Sequence, residues 1–134
     1  MAQIFSADAQ MLVTDVVITL NSEIPGMTTN PVHVPFINGK VVVEGRVVMS
    51  TGATATGVQI RVRRNPAAEN VVLGFAPDTF QVGPTQIAAL PFMFTDSLPD
   101  GRDAVYQLSV QQVGATGNGI FGKNSAIRAT VMSG

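Results

Sequence analysis

The glycine-rich stretch at residues 117–124, Gly-Asn-Gly-Ile-Phe-Gly-Lys-Asn, carries the sharpest chemical suggestion in this chain. Its spacing is that of a phosphate-cradling loop up to the last position. There Asn124 stands in place of the hydroxyl that such loops turn toward a magnesium ion. A cradle of this kind also needs a helix behind it, with N-terminal amides facing the phosphates. Residues 125–132 alternate like a strand instead, so the stretch reads as a connection between antiparallel strands.

His33 is the single histidine and lies between Val32 and Val34, beside two prolines. A triad or a histidine metal site needs partners of defined geometry, and the neighbouring sequence supplies none. It reads as a strand-edge or interface residue. Asp96, Asp100 and Asp103 place three carboxylates within eight residues, a set that a hard cation such as calcium would accept. Their spacing departs from the EF-hand loop, and Asp is also what turns use to bond their own backbone. A turn is the simpler reading, with calcium as the alternative.

Arg61, Arg63 and Arg64 form the one basic cluster. On a strand Arg61 and Arg63 share a face, where they would meet a partner's carboxylates or phosphates. The alternative is a solvated outer face, paired with Glu44 or Glu69. The methionines and phenylalanines read as core and interface filling rather than a ligand box. No paired acids, no nucleophile with its base and no set of metal ligands appears, so neither an enzyme nor a cofactor is expected.

The elements that must position these residues are strands. Gly, Pro and Asn-Gly punctuate the chain at short intervals, and the segments between them alternate with period two and are rich in Val, Ile and Thr. Strands are expected over residues 11–20, 31–37, 40–50, 56–64, 70–76, 85–95, 104–113 and 125–132, with Asn38-Gly39 a tight hairpin turn and Gly45 a bulge. Val58, Ile60 and Val62 face inward, as do Tyr106, Leu108 and Val110, and Ile127, Ala129 and Val131. The expectation is an all-β, antiparallel jelly-roll-type β-sandwich of about eight or nine short strands. Residues 1–10 are expected to form an N-terminal arm ahead of a single domain at 11–134.

Composition narrows the role. Among 134 residues there are 8 Lys and Arg, 9 Asp and Glu and no Cys, and apolar residues make up 46%. Charged residues amount to 13%, against roughly 25% in an ordinary globular domain. A net charge of −1 argues against a nucleic-acid partner. The lack of Cys excludes disulfides, thiolate metal sites and a Cys nucleophile. No apolar run reaches the roughly 18 residues of a membrane span, and the first residues lack a secretory pattern. Synthesis in a host cytoplasm is expected. The apolar excess beyond what a core needs points to assembly.

The C-terminal third reads Phe-Thr-Asp-Ser-Leu-Pro-Asp-Gly at 94–101, then Val-Tyr-Gln-Leu-Ser-Val at 105–110, then the glycine-rich loop and Asn-Ser-Ala-Ile-Arg-Ala-Thr-Val-Met at 124–132. This order resembles the closing strands of jelly rolls of the tumour-necrosis-factor and complement globular-head type, a pattern frequent in phage virion proteins. The resemblance covers about 40 residues and is a pattern rather than a signature. It implies a homotrimer and, by similarity to small cementing proteins of phage heads, a decoration protein on the capsid surface that bridges subunits of a major capsid protein. On that reading the expected partner contacts are Ile4 and Phe5 in the arm and Arg61 and Arg63 on the sheet, with no nucleic-acid or membrane partner. Two alternatives remain open: a receptor- or carbohydrate-binding head of a tail or fibre protein, and a minor capsid protein that forms the shell lattice itself.

Overall fold

Val-, Ile- and Thr-rich segments that alternate with polar residues can bury one face only, and two such faces packed together make a sandwich. The computed structural model describes residues 4–18, 22–34, 39–53, 56–97, 101–113 and 119–133. In chain order the strands are β1 (Ile4–Met11), β2 (Val16–Val17), β3 (Glu23–Thr28), β4 (Val32–His33), β5 (Gly39–Ser50), β6 (Thr56–Arg64), β7 (Val71–Val82), β8 (Ile87–Ser97), β9 (Asp103–Ala104), β10 (Tyr106–Val113), β11 (Ile120–Phe121) and β12 (Ala126–Ser133). No helix occurs among the described residues.

The long strands pair in a nested order: β1 with β12, β3 with β10, β5 with β8 and β6 with β7, all antiparallel. The first sheet runs β1-β12-β5, with β8 on the far side of β5 and the short β11 and β2 continuing one end. The second sheet runs β3-β10-β6-β7, and β4 and β9 form a separate two-stranded ladder. This is an antiparallel jelly-roll sandwich.

The inward positions fill the core: Val41, Val43, Val47, Met49, Ile127, Ala129 and Val131 from the first sheet face Val58, Ile60, Val62, Tyr106, Leu108 and Val110 from the second. Full burial of one such large apolar side chain contributes about 1.5–3 kcal/mol. The inward faces expected for residues 56–64, 104–113 and 125–132 are the observed ones.

Several expectations are corrected. Residues 4–11, expected within an arm, pair with β12 along most of their length. The expected strand at 11–20 is broken, since after Met11 only Val16–Val17 are extended; Leu20 lies outside the described residues. Ile18 is nonetheless buried in the core, with Leu12 and Val16 partly buried against it. β3 was hidden by Pro25 and Gly26, which read as a turn. Asn38 lies outside the described residues, and Gly39 opens β5. Gly45 is not a bulge: the register of β5 with both β12 and β8 passes through it unbroken.

The prolines inside strands explain themselves by position. Pro25, Pro77 and Pro91 lie in β3, β7 and β8, each at a sheet margin. A proline lacks the amide a central strand needs, and at a margin it discourages strand addition by another chain. The margin at β1 is covered differently: the Asp8 carboxylate accepts the Asn30 backbone N–H at 2.8 Å.

Candidate functional site

The basic cluster divides by strand alternation. Arg61 and Arg63 point outward from β6, and both grip Glu23 of β3 across β10. Arg61 Nη1 donates to Glu23 Oε1 at 2.6 Å, while Arg63 Nε and Nη2 donate to the two carboxylate oxygens at 2.6 and 2.7 Å. Ser109 Oγ, fully buried beneath them, donates at 2.7 Å. Arg61 Nη2 also donates to Gln59 Oε1 and Arg63 Nη1 to Asn70 Oδ1, each at 3.1 Å. The partner is therefore Glu23, rather than Glu44 or Glu69, and an external carboxylate would have to displace it.

The hydrogen bond from Arg63, with those from Arg61 and Ser109, outweighs burial and holds the Glu23 carboxyl down to about 2. A carboxylate depressed on folding contributes stability above its unfolded value near 4.5 and loses it as pH falls toward 2. Glu23→Gln is therefore expected to lower the melting temperature at pH 7 and to leave it nearly unchanged at pH 2. Equal losses at the two pH values would contradict the ionic role.

Arg64 points inward, the next residue having reversed the face. Its Nη1 donates to both oxygens of Asp96 on β8, at 2.8 and 2.9 Å, and the Tyr106 hydroxyl on β10 donates to the same carboxylate at 2.8 Å. Burial first, then the Asp96 charge, pushes the Tyr106 phenol far above its usual range, so it stays a donor. Beside them Glu69 accepts from Arg102, Asn65 and Arg64. Asp96 is thus an ion-pair partner joining the two sheets. Asp103 is at His33, with Nδ1 and Oδ1 2.5 Å apart across the β4–β9 ladder. Asp100 lies outside the described residues. Of the carboxylates expected as a turn or a calcium site, the two described, Asp96 and Asp103, have separate partners.

Of the glycine-rich stretch the described residues are 119–124, and its loop amides there are occupied. Gly119 N–H donates to the Gln112 side chain, Gly122 N–H to the Val48 carbonyl, Lys123 N–H to the Asp15 carboxylate and Asn124 N–H to the Leu12 carbonyl. β12 rather than a helix follows, so these described amides do not form the phosphate cradle that the spacing suggests.

What the alternation does expose is a contrast between the two outer faces. The second sheet presents Gln59, Arg61, Arg63, Gln107, Gln111 and Glu23, knitted by hydrogen bonds. The first presents Ala7, Ala9 and Met11 from β1, Ala126 and Arg128 from β12, Val42, Glu44, Arg46 and Val48 from β5, and Ile87, Ala89, Pro91 and Met93 from β8. In β1 the polarity is inverted, with Ser6, Asp8 and Gln10 inward and Ala7, Ala9 and Met11 exposed.

Ile87 is 78% exposed, Met93 67% and Met11 51%, and Val13 and Val17 of the same sheet's end are exposed too. A depression of about 430 Å³ lies on this sheet over β1, β12 and β5, lined by Ala9, Met11, Gly45 and Ala126 and also by Gln10 and the Glu44–Arg128 ion pair. The sequence points to part of this face, since the apolar excess of the Phe- and Met-rich segment at 87–94 and of the N-terminal residues reads as a protein–protein contact. The inverted alternation that places β1 beside it was readable there too. The strand pairing of Ile4 is described, but the side chains of Ile4 and Phe5 lie outside the described residues.

No protein-family model matches the sequence, and a search of curated proteins finds no match. Solved structures match in fold. A chain in the structure of infectious bursal disease virus, Gx strain, superposes with a TM-score of 0.54 at 8% identity, over 99% of this chain and 41% of that one. Eiger TNF from S. frugiperda gives 0.52 at 12% identity, over 96% and 92%. The Gt strain of infectious bursal disease virus gives 0.52 at 9% identity, over 96% of this chain and 32% of that one. This chain thus spans less than half the length of the viral chains it matches. It shares the jelly-roll fold of these virus chains and of Eiger TNF.

Proposed function

We propose that this chain is a non-enzymatic structural virion protein that decorates and stabilises a viral capsid of the phage type, as a trimer bridging subunits of the major capsid protein. The observation that carries the reading is the difference between the outer faces: one is held by the Glu23–Arg61–Arg63 cluster, and the other exposes Ile87, Met93 and Met11 around the Glu44–Arg128 pair. Exposed apolar surface of this extent on a jelly roll is what a protein–protein contact uses. Virus structures supply chains of the same fold.

On this reading the work done is mechanical. Repeated contacts around a shell bury area at each site, and several contacts from one oligomer multiply their strength. The protein would be made in the host cytoplasm and reside on the capsid surface, with no cofactor, metal, nucleic acid or membrane taking part. Of the residues expected to touch the capsid, Arg61 and Arg63 are committed to Glu23, so the apolar sheet carries more of the contact. Sedimentation of the purified protein with empty shells of its own virion tests the reading. Saturable co-sedimentation is expected, and protein that stays in the supernatant would overturn it.

A further inference from the structure

We propose that the outer face of the first sheet docks an acidic protein surface, whose carboxylates meet Lys40 and Arg46 on β5 while apolar side chains beside them meet Ile87 and Met93 on β8. This rests on the decoration reading above and names the chemistry of the capsid surface that would be bound.

Strand alternation sets out the face. Lys40, Val42, Glu44, Arg46 and Val48 point outward from β5, and Arg128 points outward from β12 opposite Glu44. Among the described outward residues of β1, β12, β5 and β8, the charges are therefore the cations Lys40, Arg46 and Arg128 against the one carboxylate of Glu44. The face carries a positive surplus on a chain whose net charge is −1.

Arg128 spends its charge on Glu44, at 2.9 Å. Lys40 and Arg46 are exposed, and no carboxylate among the described residues forms an ion pair with either. Arg46 Nε donates to the Asn124 carbonyl at 2.9 Å, which holds the guanidinium in place without neutralising it. Six residues at about 3.3 Å rise separate the two cations by roughly 20 Å along β5. In register beside this row, Ser97 lies next to Lys40, Met93 next to Glu44 and Pro91 next to Arg46, with Ile87 at the far end of β8. The cations thus run along an exposed apolar margin.

That mixture selects the partner. A nucleic acid or a layer of anionic headgroups is met by a continuous row of cations, and here Glu44 and apolar side chains interrupt the row. Two copies apposed through this face would bring together surfaces of like net charge. A different protein surface supplies carboxylates and apolar groups together, and an arginine set among apolar contacts is a common anchor.

Sedimentation with empty shells of the protein's own virion, at about 0.1 M and about 1 M salt, tests this, because the screening length falls from about 10 to about 3 Å between them. Affinity is expected to drop about tenfold or more at the higher salt. At the lower salt, Lys40→Glu with Arg46→Glu should weaken binding by about tenfold or more. Glu44→Gln, which removes the one carboxylate, should tighten it, a gain that lost packing would not produce. The strand-type circular dichroism and the melting profile of a folded domain should be retained in both variants. An affinity that salt or the double charge reversal leaves unchanged, or that Glu44→Gln lowers, overturns the acidic partner while the decoration stands. Retention of duplex DNA or of anionic vesicles as tight as that of shells overturns it too. No sedimentation at either salt overturns both readings.

Discussion

Replacing Asp96 with alanine is expected to lower the stability of the fold by about 3–5 kcal/mol, the cost of breaking a buried ion pair by removing one partner. In a domain of this size that corresponds to a fall of roughly 10–20 °C in melting temperature. Asp96 is 8% exposed and Arg64 12%. Without the carboxylate, the Arg64 guanidinium loses two hydrogen bonds and the Tyr106 hydroxyl loses its acceptor, at inward positions on β6 and β10. Glu69 still reaches Arg64, at 3.4 Å from its Nε, which places the cost toward the lower end of that range.

Removing the cation as well should recover much of the loss, because a buried pair exchanged for apolar groups of similar size is close to neutral. Arg64→Met with Asp96→Leu is therefore expected to melt above Asp96→Ala alone, with Glu69 kept in place by Arg102 and Asn65. Thermal denaturation of the wild type and these variants checks both statements. A change below about 1 kcal/mol in Asp96→Ala would mean that the sheets are not joined through this carboxylate.

Gly45→Ala is expected to be comparably damaging, by about 3 kcal/mol or more, for a steric reason. A Cβ built on Gly45 would lie 1.9 Å from the Ala126 carbonyl oxygen on β12 and 3.0 Å from the Phe92 ring on β8. The ring could turn aside, but the carbonyl belongs to the paired backbone, so β5 and β12 must separate. Phe92→Leu should therefore fail to rescue Gly45→Ala. Full rescue, measured by denaturant unfolding, would place the obstruction at the ring instead.

These two positions show what the sequence discloses. Val58, Ile60 and Val62 in β6 and Tyr106, Leu108 and Val110 in β10 alternate cleanly because one face meets the core, and such strands announce themselves. β1 and β3 do not. β1 turns alanines outward and polar residues inward, and β3 carries a proline and a glycine. Pro25 is tolerated at a margin, and Gly26 leaves room for the Phe121 ring, which a Cβ would approach to 2.6 Å. Both features are set by neighbours distant in the chain, so local pattern reads them as an arm and a turn.

The same limit applies to the charged residues. That Arg61 and Arg63 share a face follows from alternation, but that Glu23 sits between them depends on β3 lying two strands away, beyond β10. Asp96 is near Asp100 and Asp103 in sequence, yet its partner is Arg64 in the opposite sheet. The low charge content proved informative as a whole: the few charges present are largely spent on one another. On the outer face of the first sheet the Glu44–Arg128 pair is the ion pair among the described residues, and Ile87, Met93 and Met11 are exposed around it.

The most direct measurement is a sedimentation titration of the purified protein against empty shells prepared from its own virion without it. Binding that saturates at a fixed number of chains per shell, in multiples of three, together with a higher temperature of shell rupture at saturation, is the predicted result. Absence of co-sedimentation, or uptake that rises without limit and leaves the rupture temperature unchanged, would contradict a role in capsid decoration.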